Sequence, residues 1–170
     1  FAKTIDYDAG EYGIGILSKF PIKNASQDML PTASGTNGEP RGVVTAEIEL
    51  PNHKKIIFAS THLDAQRGDT NRLLQIHALS GILQTKKLPV ITARDFNAEP
   101  SSRIIQHLDQ YLTRTCITGC GFTIPEKNPV KTIDFIAYRP AATFEVIEHK
   151  VIDEPYASDH LPVKAVLKLQ

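Results

Sequence analysis

Apolar residues in this chain fall mostly in short runs with a period near two, the pattern of strands that bury one face. β-Branched runs bounded by Gly, Pro or Asn recur at Tyr12–Leu17, Gly42–Leu50, Lys55–Thr61, Pro89–Ala93, Thr132–Tyr138, Thr143–Ile152 and Val163–Leu169, which predicts a sheet-rich core. Pro51-Asn52-His53-Lys54 joins two of these runs as closely as a hairpin turn does, so a wholly parallel sheet is not expected. Between Asp69 and Thr85 the period changes: Leu73, Leu74, Ile76, His77, Leu79, Ile82 and Leu83 recur at helical spacing, with Asp69 or Thr70 as a cap. A shorter helix is predicted from Ser101 or Ser102 to Gln110, with Ile104, Ile105 and Leu108 on one face. Asn24–Pro40, rich in Ser, Thr, Gly, Asn and Pro, reads as a mobile loop.

At 170 residues and 41% hydrophobic, the chain has the apolar content for one cored domain over 1–170 and is too short for two ordinary ones. Lys+Arg and Asp+Glu both number 19, so the chain as a whole is no polycation and must grip any phosphate locally. No apolar run approaches the roughly 18 residues a membrane helix needs. The first residue is Phe1 and no charged-then-apolar leader follows, so the chain is expected to begin part-way through something longer. Cys116 and Cys120 are too few for a disulfide framework or a four-ligand zinc site. They read as two small, partly buried loop residues, with a local bridge or a reactive thiol as the other readings.

The generic nucleotide and hydrolase signatures are missing. There is no Gly-x-x-x-x-Gly-Lys-Ser/Thr loop and no Gly-x-Ser-x-Gly elbow, and Gly13-x-Gly15 lacks its third glycine. Asp6-x-Asp8-x-Gly10 opens like a calcium loop without its closing acid and reads as a solvated turn. The chemistry sits instead where apolar strands end, because a sheet rim presents polar side chains without burying them unpaired. Ile56–Ser60 runs into Thr61-His62-Leu63-Asp64, Val90–Ala93 into Arg94-Asp95-Phe96-Asn97, and Thr132-Ile133 into Asp134, while Ser158-Asp159-His160 precedes the last strand. Alternation would send Asp95 and Asn97 to one side, facing a common pocket, and Phe96 to the other as an anchor.

Five segments together carry a family resemblance: Glu11–Ile22, Ser60–Asp64, Asp95–Pro100, Thr132–Ile136 and Ser158–Val163. In order and spacing they resemble the motifs of the endonuclease/exonuclease/phosphatase superfamily, which includes pancreatic-type deoxyribonucleases, abasic-site endonucleases, sphingomyelinases and inositol polyphosphate phosphatases. The resemblance implies an α+β fold: a mostly antiparallel sandwich of two sheets with outer helices, four layers in all (α/β/β/α). It also implies magnesium-assisted, or manganese-assisted, attack of water on a phosphomonoester or phosphodiester. By the same resemblance His160 acts on the phosphoryl group and Asp134 orients it; Asp95 positions or deprotonates water. Asn97 and His62 contact phosphate, Asp159 ligates metal with Asp95 and Asn97, and Arg41 lies near the substrate phosphate. His53, His77, His107 and His149 lie outside the motifs and are read as structural.

Two departures bear on activity. Relatives begin with strands that supply an asparagine and the principal metal-binding glutamate. This chain is expected to lack them, being N-terminally truncated to roughly the C-terminal two-thirds of the family fold, and Glu11 is not their replacement. Sheet edge and apolar face would then lie uncovered, so self-association through that surface or a local rearrangement is expected. Secondly, Arg94 stands where relatives usually carry glycine, so its long side chain must escape to solvent or the packing must change; alternation would point it away from the Asp95 pocket. The leading expectation is a metal-dependent phosphoesterase acting on a phosphorylated small molecule, a lipid headgroup or nucleic acid. The competing one is an inactive fragment serving as a folded binding or assembly module.

Overall fold

The computed structural model describes all 170 residues. Ten strands and two helices follow one another as β1 Ala2–Tyr7, β2 Gly10–Ile14, β3 Ile22–Leu30, β4 Arg41–Glu49, β5 Lys55–Thr61, α1 Thr70–Gln84, β6 Val90–Asp95, α2 Arg103–Leu108, β7 Thr113–Arg114, β8 Asp134–Arg139, β9 Phe144–Val151 and β10 Val163–Leu169. Six of the strands form one sheet in the order β3-β4-β5-β6-β8-β7. All its neighbours are antiparallel except β5 and β6, whose parallel pairing requires the chain to cross back, and α1 makes that crossing.

Alternation along the strands divides this sheet into two apolar faces. Val43, Ala59, Val90, Phe135 and Ala137 point to the side covered by Ile76, Leu79 and Leu83 of α1 and by Ile104, Ile105 and Leu108 of α2, all buried. The other face carries Ala46, Ile48, Ile56 and Tyr138, which pack against Phe144 and the partly buried Val146, Leu167 and Leu169 of the β9–β10 hairpin. Ala2 and Ile14 of the β1–β2 hairpin cover Val44. The second layer therefore consists of two hairpins, each a separate two-stranded sheet, and both helices lie on the opposite side of the sandwich.

The helices start for different reasons. Ser102 Oγ accepts from the Ile105 N–H, an N-cap that settles the choice between Ser101 and Ser102. Asp69 precedes α1 without capping it; its carboxylate instead takes Arg72 Nη2 at 2.6 Å. Leu74 and His77 turn outward, so the apolar stripe of α1 is narrower than the sequence spacing predicts.

Several expectations are corrected. Asn24–Leu30, predicted as loop, belongs to β3. This is an edge strand whose residues are exposed almost throughout, so its polar composition costs nothing and leaves no period to read; Ser26 and Thr45 hydroxyls bond across to β4 at 2.8 Å. β1 and the two-residue β7 were not anticipated. Cys116 and Cys120 are joined in a disulfide, their Cα atoms 5.7 Å apart, because Gly119 at φ +67° turns the intervening loop back on itself. The Gly13 of Gly13-x-Gly15 has a packing role, since a Cβ there would stand 2.1 Å from the Ala2 carbonyl oxygen across the hairpin.

Candidate active site

The end of β5, the end of β6 and the start of β8 lie side by side, with Asp95 opposite Asp134 in the β6–β8 register. Chain-distant polar groups thus meet at one rim. The turn after β6 is fixed three ways: Phe96 N–H donates to the Ile133 carbonyl at 2.9 Å, Leu63 N–H donates to the Asp95 carbonyl at 3.2 Å, and the Phe96 ring is wholly buried in the helix-side core. Asp95 Oδ1 accepts from Asn97 N–H at 2.6 Å, closing an Asx turn, and Asn97 sits at φ +48°. The alternation expected for Asp95 and Asn97 therefore does not apply, because the strand ends at Asp95. Asn97 is placed by the turn: its Nδ2 donates to the Leu63 carbonyl at 2.9 Å, leaving Oδ1 as a free acceptor, and it lines an adjoining hollow with Glu99 and Lys131.

His160 reaches this rim from the loop before β10. Its Nδ1 lies 2.9 Å from Asp134 Oδ2; a carboxylate only accepts, so Nδ1 carries the hydrogen and Nε2 faces outward. Asp95 Oδ2 stands 4.0 Å from His160 Nε2 and 3.3 Å from His62 Nε2. His62 Nδ1 in turn faces the Tyr12 hydroxyl at 3.4 Å, while Nε2, turned to a carboxylate that only accepts, carries a hydrogen toward Asp95. The side chains of His62, Asp95, Asp134 and His160 are between 11% and 22% exposed, sheltered enough to strengthen their fields yet open to a ligand.

Electrostatics couples the dyad. Burial opposes charge on His160, but the Asp134 hydrogen bond, the Asp134 charge and the charges of Asp95 and Asp159 outweigh it and raise its pKa above the ordinary 6.5. Burial is also the largest influence on Asp134 and raises its carboxyl, with the Asp95 charge adding to it and the hydrogen bonding of Thr123 and His160 opposing. The two shifts run toward the charged form of His160 and the neutral form of Asp134.

Other predicted residues stand apart. Arg41 is buried and its Nη2 pairs with Glu39 Oε2 at 2.9 Å, without contact to the dyad. Asp159 is exposed, its carboxylate 3.4 Å from Ser158 Oγ, and it bears on the site through its charge on His160. Arg94 keeps the backbone a glycine would adopt, φ +144°, and this turns it into the wall of a hollow of about 280 Å³ shared with Asp134, Ser158 and His160, contrary to the expectation from alternation. Sequence reasoning gave no role to Tyr12 or to the fully buried Thr123; Tyr12 lies within Glu11–Ile22, a segment that carries the family resemblance without a site residue assigned in it.

For a divalent cation the donor set is suitable in kind. Asp95, Asp134 and His160 each offer an atom within 4.8 Å of the others, but Asp134 Oδ2 is committed to His160. Asp95 is the carboxylate of that group not held by His160 Nδ1, and Asn97 Oδ1 is a free acceptor beside it, while Asp159 stands outside the group. Cys116, Cys120 and His149 also cluster, yet the sulfurs are bonded to each other and offer no thiolate.

Comparison with known proteins supplies the context. Residues 3–160 match the family model described as Endonuclease/Exonuclease/phosphatase family. The chain is 32% identical over 110 residues to the inositol phosphosphingolipids phospholipase C of Schizosaccharomyces pombe; the match covers 53% of this chain and 25% of that protein. The mannosyl-6-phosphatase Bt3783 of Bacteroides thetaiotaomicron superposes with a TM-score of 0.76 at 19% identity, over 89% of this chain and 68% of its own. The human Nocturnin catalytic domain with bound sulfate anion superposes at 0.67 and 23% identity, over 89% and 60%. The chain thus spans a quarter of the yeast phospholipase and under seven-tenths of these two structures.

Proposed function

The chain belongs to the Endonuclease/Exonuclease/phosphatase family, and from that premise we propose that it is a divalent-metal-dependent phosphoesterase whose reacting group binds between Asp95, His62 and His160. The carrying observation is the convergence of His62 Nε2 and His160 Nε2 on one carboxylate, with Asp134 holding the far side of His160. A phosphoester repels anionic nucleophiles, so a hydrolase must align water, offset charge on the phosphoryl oxygens and protonate or stabilise the leaving oxygen. Asp95 Oδ2 orients the water and accepts its proton. His160, kept charged by Asp134, donates from Nε2 to the phosphoryl group or leaving oxygen, and His62 Nε2–H donates to a phosphoryl oxygen. Asn97 contributes its second amide hydrogen. Asp95, Asp159 and Asn97 Oδ1 would hold magnesium or manganese, which when bound neutralises phosphoryl charge. Arg41, already paired with Glu39, is left out of phosphate binding.

The names of two relatives support one substrate class. One acts on inositol phosphosphingolipids and one, sharing only the fold, is a mannosyl-6-phosphatase, and both names describe a phosphoester on a polyhydroxylated ring. We extend that class to this chain.

Hydrolysis of bis(4-nitrophenyl) phosphate with magnesium or manganese tests the assignment. His160→Ala and Asp95→Ala are each expected to lower turnover by about 10²–10⁴-fold. Turnover that survives both removes these residues from the chemistry, and a wild-type chain that never turns over leaves the folded binding module as the reading.

A further inference from the structure

Next to His62 the β1–β2 hairpin walls a second hollow of about 270 Å³ with Ile5, Tyr7 and Tyr12, closed on one side by Glu39. Tyr12 belongs to both places, with its ring in this hollow and its hydroxyl on His62 Nδ1. A molecule resting against Tyr12 here is separated from Asp95 by two side chains in contact, Tyr12 and His62. The Tyr7 ring is 6.2 Å from the Tyr12 ring, tilted by 55°, and is 67% exposed. Two tilted faces suit a ring lying in their angle better than a flat base sandwiched between them. Glu39 supplies the polar edge: Oε2 is held by the buried Arg41 and Oε1 remains to accept a hydrogen bond. Because the guanidinium offsets the carboxylate charge, the hollow is close to neutral, which disfavours a quaternary ammonium guest.

We propose that this hollow is the subsite for the polyhydroxylated ring, a sugar or cyclitol, that carries the reacting phosphoester; the inference rests on the hydrolase reading above. Such a ring has an apolar C–H face for the tyrosines and a rim of hydroxyls, one of which donates to Glu39 Oε1. The volume lies just below the roughly 300–1,000 Å³ of small-molecule sites, room for one such ring and its substituents. Tyr7 is the specificity-determining residue, since it touches the hollow and none of the groups assigned to the chemistry.

The experiment uses the full chain, Tyr7→Ala and Tyr7→Phe, following phosphate release from myo-inositol 1-phosphate, methyl phosphate and phosphocholine, and following myo-inositol binding by NMR at Tyr7 and Tyr12. Tyr7→Ala should raise KM for myo-inositol 1-phosphate about tenfold and leave methyl phosphate unchanged, with Tyr7→Phe restoring the wild-type value. An equal rise for methyl phosphate, no rise for either ester, or phosphocholine as the preferred substrate would overturn the subsite. If none of these monoesters turns over in the wild type, bis(4-nitrophenyl) phosphate decides the hydrolase reading separately, since a diesterase leaves all three intact. The subsite is then judged by NMR: shifts at Tyr12 induced by myo-inositol and lost in Tyr7→Ala uphold it, and their absence in the wild type refutes it.

Discussion

Replacing Arg94 by glycine should stabilise the protein, the reverse of what removing a half-buried side chain usually does. Arg94 holds φ at +144°, a region in which a residue with a Cβ pays about 1–3 kcal/mol. Glycine escapes that strain but costs about 0.5–1 kcal/mol relative to alanine through its greater freedom when unfolded. Arg94→Ala is the control, because it removes the same guanidinium and stem while keeping the Cβ. The two variants differ only in strain and chain entropy, so Arg94→Gly should exceed Arg94→Ala by about 1 kcal/mol and at most about 2.5 kcal/mol, whereas at an ordinary strand position glycine is the worse of the two. At this chain length that difference is a melting-temperature gap of about 2–4 °C, with a ceiling of about 10 °C. Guanidinium denaturation followed by circular dichroism, with thermal melts alongside, reads both quantities. An Arg94→Gly protein no more stable than Arg94→Ala would show that the backbone at this position is not strained, and the account of why Arg94 lines the hollow would fall with it.

Other outcomes follow from the same geometry. Phe96→Ala empties a wholly buried site that packs edge-on to Phe135 at 6.0 Å and should cost about 3–5 kcal/mol by urea midpoint; a loss below about 1 kcal/mol would mean the turn bearing Asp95 is anchored elsewhere. Asp134→Asn should move the His160 titration, read from imidazole C–H shifts, to lower pH, and an unmoved titration would refute the dyad. The sign carries to stability: with His160 raised above 6.5 in the folded chain, its contribution is full below that pH and fades as pH climbs through the folded value. Chelation with EDTA should reduce turnover to background and added magnesium or manganese should restore it; activity that persists in EDTA would remove the metal from the mechanism. β2 and β10 each pair on one side only, so static light scattering should report association that grows with concentration, against which a concentration-independent monomer would stand.

What the amino-acid order determined by itself is whatever depends on neighbours a few positions apart. The apolar period placed β4, β5, β6, β8, β9, β10 and α1 close to their final bounds, because burying one face of a strand or helix leaves that period in the residues. His62, Asp95, Asp134 and His160 were legible as strand-end polar groups and through their motifs, and they do meet. β3 stayed hidden because an edge strand exposed along nearly its whole length has no buried face to print a pattern.

Tertiary structure alone decided the rest. Tyr12 and His62 are 50 residues apart and touch only because the β1–β2 hairpin packs beside β4. The Asn97 amide is aimed by a carbonyl 34 positions away, which no local alternation encodes. Arg41, expected near the substrate phosphate, is buried by folding beside Glu39, and the placing of Arg94 depends on a backbone angle that the rim imposes. Strands and helices answer to short-range periodicity. Which lone pair faces which proton is settled by contacts between distant segments, and their distances exist only once the two layers have closed on each other.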